Sequence, residues 1–99
     1  MDEALDYLLE TDETCAALGA DVERLEFKVK RTKAAVFQLS TGSVAERNAL
    51  AETHENTEAA HDEYCKALEK FNAVRNKRAT ETIVFEAWRS LNSNRRQGS

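Results

Sequence analysis

His54, Glu58, His61 and Cys65 follow one another at spacings of four, three and four, which on a helix would line all four along one stripe. Imidazole, carboxylate and thiolate are ligand types that transition metals take. Glu58 and His61 also have the Glu-x-x-His spacing of carboxylate-bridged di-metal bundles, which need two such pairs and two further carboxylates facing a bundle core. One chain offers a single pair, and the residues expected opposite, Val22, Leu25 and Val29, carry no ligand atoms. The competing reading is the polar edge of an alanine-rich helix, so the expectation is no metal site and no cofactor. The only cysteines are Cys15 and Cys65, too few for a disulfide framework, which implies free thiols in a reducing compartment. A phosphate-binding glycine loop, a G-x-S-x-G elbow and paired zinc knuckles are all missing, and the expectation is a binding protein rather than an enzyme.

The elements that would position these residues are helical. The chain has 99 residues, no proline, 32% charged and 41% hydrophobic residues, a composition of long solvated helices rather than of a disordered segment. At this length a single core is thin, and self-association is the simplest supplement. No apolar run reaches the length of a membrane span, and Met1-Asp2-Glu3-Ala4-Leu5 lacks a basic export-type start, so no membrane partner is expected.

Gly42 stands in the one short polar break, Ser40-Thr41-Gly42-Ser43. A glycine there can close one helix in a left-handed conformation. Ser43, followed three residues later by Glu46, can cap the next helix, with the Glu46 carboxylate reaching back. Upstream, Ala4, Leu8, Thr11, Cys15, Leu18, Val22, Leu25, Val29, Thr32, Val36 and Leu39 alternate at spacings of four and three, the signature of a heptad seam. This predicts a first helix over Glu3 to Leu39. Downstream, Leu50, His54, Thr57, Ala60 or His61, Tyr64, Leu68, Phe71 and Val74 form a weaker stripe, predicting a second helix from Val44 to about Leu91. Such a helix would be roughly 70 Å long against roughly 55 Å for the first.

The predicted fold is therefore all-α: an antiparallel two-helix hairpin, coiled-coil-like, over residues 1–80 with its turn near 40–43, and a helical extension and basic tail over residues 81–99. Folding at Gly42 sets position i beside about 83 minus i, pairing Lys28 with Glu55, Arg31 with Glu52, Asp6 with Lys77 and Glu13 with Lys70. Residues 2–26 hold nine acids and one base, whereas residues 66–78 hold five bases and one acid. Exposed pairs contribute roughly 0.2–1 kcal/mol each, so this pattern sets direction more than stability.

The net charge of −4 excludes a wholly basic nucleic-acid surface, but residues 70–96 carry seven bases against two acids. Two readings follow. In the first, Arg75, Lys77, Arg78, Arg89, Arg95 and Arg96 contact phosphates of DNA. In the second, the apolar face of Ile83, Phe85, Trp88 and Leu91 docks on a protein, as aromatic anchors commonly do. Either reading fits a tail that overshoots the first helix and packs on another copy, dimerising into a helical bundle. The alternative folds the tail back through a break near Thr80.

Trp88-Arg89-Ser90-Leu91-Asn92-Ser93-Asn94-Arg95-Arg96, with Ser43-Val44-Ala45-Glu46-Arg47, resembles a set of small uncharacterised helical proteins of tailed bacteriophages, over most of the chain. The resemblance implies a phage origin, placement among replication and recombination genes, and residence in the cytoplasm of an infected bacterial cell. It implies no activity and no functional residues.

Overall fold

A computed structural model of the chain describes the backbone from Asp2 to Gly98 and the side chains of residues 3–94. It is all-helical, with α1 over Asp2–Leu39, α2 over Val44–Thr53 and α3 over Glu55–Gly98, and no strand among the described residues. The extents are 78 × 22 × 14 Å and the radius of gyration 22.0 Å. A compact domain of this length would have a radius near 13 Å, so the molecule is a rod, about one helix diameter in its thinnest direction.

The heptad positions of α1 point inward. Every residue of the series from Ala4 to Val36 is buried or half-buried, and only Leu39, at the helix end, is exposed. On α3, Thr57 and Ala60 are buried and Tyr64, Leu68, Phe71 and Val74 half-buried. Gly19 allows a close approach to α3, because a Cβ there would come within 3.2 Å of the Phe71 ring.

The chain leaves α1 through a turn secured mainly by Arg47. Its guanidinium donates to the Phe37 carbonyl through Nε at 3.0 Å and Nη2 at 2.8 Å and lies 4.0 Å from the centroid of the Phe37 ring. The Ser40 hydroxyl donates to the same carbonyl at 2.9 Å, so this acceptor near the end of α1 is fully satisfied. Gly42 has φ 115°, a conformation that side chains with a Cβ rarely adopt. Ser43 caps α2, its hydroxyl accepting the Glu46 amide at 3.2 Å. The other half of the expected capping box is not formed: the Glu46 carboxylate lies over Gly42 instead of accepting the Ser43 amide.

The expected continuous second helix is interrupted at His54, whose φ and ψ of −62° and 142° are extended. Neither glycine nor proline causes this. The His54 amide donates to the Leu50 carbonyl and ends α2, its carbonyl accepts the Glu58 amide, and its ring Nδ1 accepts the Asn56 amide at 3.0 Å. One residue thus closes one helix and caps the next. An imidazole nitrogen accepts only when unprotonated, and the cap is equivalent to that of Asn or Asp. His54→Ala is expected to lower stability by about 1 kcal/mol in urea unfolding, while His54→Asn recovers most of the loss. Equal destabilisation by both substitutions would show that the ring does not cap.

α3 runs through Thr80 without a break, so the fold-back at that point is not seen. Contacts between α1 and α3 join Asp12 to Arg78, Gly19 to Phe71 and Lys28 to Glu63, and α1 meets α2 at Lys33 and Glu52. Partner numbers fall as α1 numbers rise. The register differs from the expected one: Lys28 pairs with Glu63 rather than Glu55, and Glu52 with Lys33 rather than Arg31. The offset is small at Lys33–Glu52, before the break at His54, and larger beyond it at Lys28–Glu63 and Asp12–Arg78, so the shift enters where the single continuous helix assumed from the sequence is interrupted.

Candidate protein-docking face

The last quarter of α3 carries the residues singled out for partners. Along its inner line, Arg78, Glu81, Phe85 and Asn92 are half-buried. Ile83, Val84, Trp88 and Leu91 are between 41% and 69% exposed. Phe85 and Trp88, one turn apart, stack at 6.2 Å between ring centroids with 23° between planes, which sets the indole at the edge of the covered line. The Asn92 side-chain amide donates to the Trp88 carbonyl at 3.0 Å. Of the expected docking residues, Ile83, Trp88 and Leu91 are accessible, and Phe85 serves more as the platform under Trp88. Val84 belongs to the same surface, as its place one turn before Trp88 could have indicated.

The basic residues of this region are engaged with the protein itself. Arg78 donates through Nη1 to the Leu8 carbonyl at 2.7 Å and the Thr11 hydroxyl at 2.8 Å, and through Nη2 to the Asp12 carboxylate at 3.2 Å. The Lys77 ammonium lies 4.4 Å from the centroid of the Tyr7 ring. Arg75 lies over Phe71 at 5.3 Å, and Arg89 pairs with Glu86 at 3.4 Å. The Arg95 and Arg96 side chains lie outside the described residues. Four of the six proposed phosphate contacts therefore hold intramolecular positions, two of them bridging to α1.

Comparison with protein-family models, with curated proteins and with solved structures finds no match.

The possible metal stripe is not assembled. His54 is held at the helix break by its capping bond, and among the described residues no three His, Cys, Asp or Glu side chains gather as a metal would require. The closest approach within the stripe joins Cys65 Sγ and the His61 ring at 3.7 Å. Both cysteines are free thiols, Cys15 half-buried and Cys65 exposed.

Two apolar features were not anticipated. Near the turn, Ala35, Val36, Leu39 and Leu50 line an open groove of about 440 Å³, with Lys28 and Arg31 also on its walls. Along the outer side of α1, Leu9 and Phe27 are more than half exposed. No helix is long and apolar enough to cross a membrane among the described residues.

Proposed function

We propose that this chain is a non-enzymatic protein-binding module: an antiparallel helical hairpin that self-associates and offers the Ile83, Val84, Trp88 and Leu91 face of α3 to a protein partner. The observation that carries this reading is the contrast on one helix segment. Its large apolar side chains face solvent, whereas the Arg78 guanidinium is drawn into hydrogen bonds with α1 and the Lys77 ammonium lies over the Tyr7 ring. Exposed contiguous apolar surface marks a docking site, and a tryptophan at its centre is the usual energetic anchor. The resemblance to proteins of tailed bacteriophages supports a place in the cytoplasm of an infected bacterial cell, with a host or phage protein as the target.

The test is affinity capture from phage-infected and uninfected bacterial lysate, comparing the native chain with Trp88→Ala and Leu91→Ala variants of unchanged helicity. A specific prey retained by the native chain and lost from both variants is the expected result. DNA binding makes the opposite prediction. A salt-steep mobility shift abolished by Arg95→Ala with Arg96→Ala, and indifferent to Trp88→Ala, would displace the protein-docking reading.

A further inference from the structure

The outward side of α1 carries its own apolar line. At 3.6 residues per turn, Leu9, Ala16, Ala20 and Phe27 fall on one narrow stripe, opposite the inward seam of Val22, Val29 and Val36. All four stripe residues are exposed, and the three valines are buried. The spacing of the stripe reads the same in both directions: Ala16 and Ala20 are equidistant from position 18, and so are Leu9 and Phe27. Turned end for end about that point, a second α1 would set Leu9 against Phe27 and Ala16 against Ala20, with the alanines letting the backbones approach. A surface that is its own complement under a two-fold rotation suits an isologous contact between identical chains.

Charge supports the same occupant. In an antiparallel pair, residues on one flank of a helix meet residues on the same flank of its partner. On one flank lie Asp6, Glu13, Arg24 and Arg31, so the rotation brings Asp6 to the second copy's Arg31 and Glu13 to its Arg24, each pair occurring twice. On the other flank Asp12 comes near the second copy's Glu23, a like-charge approach that the four attractive pairs outnumber. Among the described residues Arg24 pairs only with an exposed local partner, Asp21 at 2.9 Å, and Arg31 lies over Phe27 at 5.4 Å. Both cations are thus poised beside the stripe instead of being tied to α3.

We infer that two copies of this chain pair antiparallel through the outer face of α1, centred on position 18, leaving both C-terminal faces free for other partners. This assigns a surface to the self-association proposed above and depends on it. Sedimentation equilibrium of the full chain is the test, with circular dichroism confirming that each variant stays helical. The native chain should dimerise, Ala16→Glu with Ala20→Glu should abolish the dimer, and Glu13→Arg should weaken it more than about tenfold by setting arginine against arginine. Glu13→Arg combined with Arg24→Glu should restore it, since the pair is re-formed with its signs exchanged. A native chain that stays monomeric at every concentration overturns self-association itself. A dimer indifferent to the alanine replacements, or a double charge variant no better than Glu13→Arg, overturns this surface alone.

Discussion

Arg78→Ala is expected to lower the stability of the chain by about 2–3 kcal/mol, measured by urea unfolding, because it removes charge-assisted hydrogen bonds from a side chain drawn into the interface. The Arg78 side chain is only 22% exposed. It reaches the Leu8 carbonyl, the Thr11 hydroxyl and the Asp12 carboxylate together, and Thr11 in turn donates to the Tyr7 carbonyl at 2.6 Å. Truncation takes this donor from the Leu8 carbonyl and the Thr11 hydroxyl, whereas the Asp12 carboxylate stays in solvent. Arg78→Lys should recover less than half of the loss, since a single ammonium cannot span the positions that a guanidinium fork occupies. By contrast, the exposed Lys28–Glu63 and Lys33–Glu52 pairs contribute about 0.2–1 kcal/mol each. A loss from Arg78→Ala within that range would show that the contact is incidental.

Val29→Asp is expected to cost at least about 3 kcal/mol, a large share of the stability of a domain of this size. Val29 is buried, and the groove beside it is walled by Glu52, Glu58 and Asp62, with Lys33 as the one cation. A carboxylate placed there would lose hydration and face three like charges. Val29→Ala, which removes volume without adding charge, should cost only about 1 kcal/mol, because the thin body lets neighbours and solvent close the gap. Far-UV circular dichroism with urea titration separates the two. Equal behaviour of the variants would mean that Val29 is not interior.

The inward seam of α1 was legible in the sequence because a helix repeats its faces with a fixed period: the alternation from Ala4 to Val36 needs nothing from the rest of the chain to be read. The turn was legible for a similar reason, since Gly42 and Ser43 act on their immediate neighbours. The break at His54 was not. Its cause is an imidazole used as a backbone acceptor, and histidine carries no strong expectation of that role. Nor could the occupation of Arg78 be foreseen, for its partner Leu8 lies seventy positions away. The run of positive charge in residues 70–96 was legible as charge, but the contacts of Lys77 with Tyr7 and of Arg78 with Leu8, Thr11 and Asp12 depend on a register that local pattern does not reveal. The outer stripe of α1 escaped notice because its alanines are as compatible with ordinary solvated helix as with a contact.

The extended residue between α2 and α3 means that the two helices do not share a continuous screw. Adding or deleting a residue within a single unbroken helix swings everything beyond it by about 100°, which would carry the whole returning arm off its partner. Here the screw is interrupted at His54, so the face that the long arm turns to α1 is not dictated by the phase of Val44–Thr53. One extended residue thus lets the short segment next to the turn and the long arm each seat on α1 at its own angle.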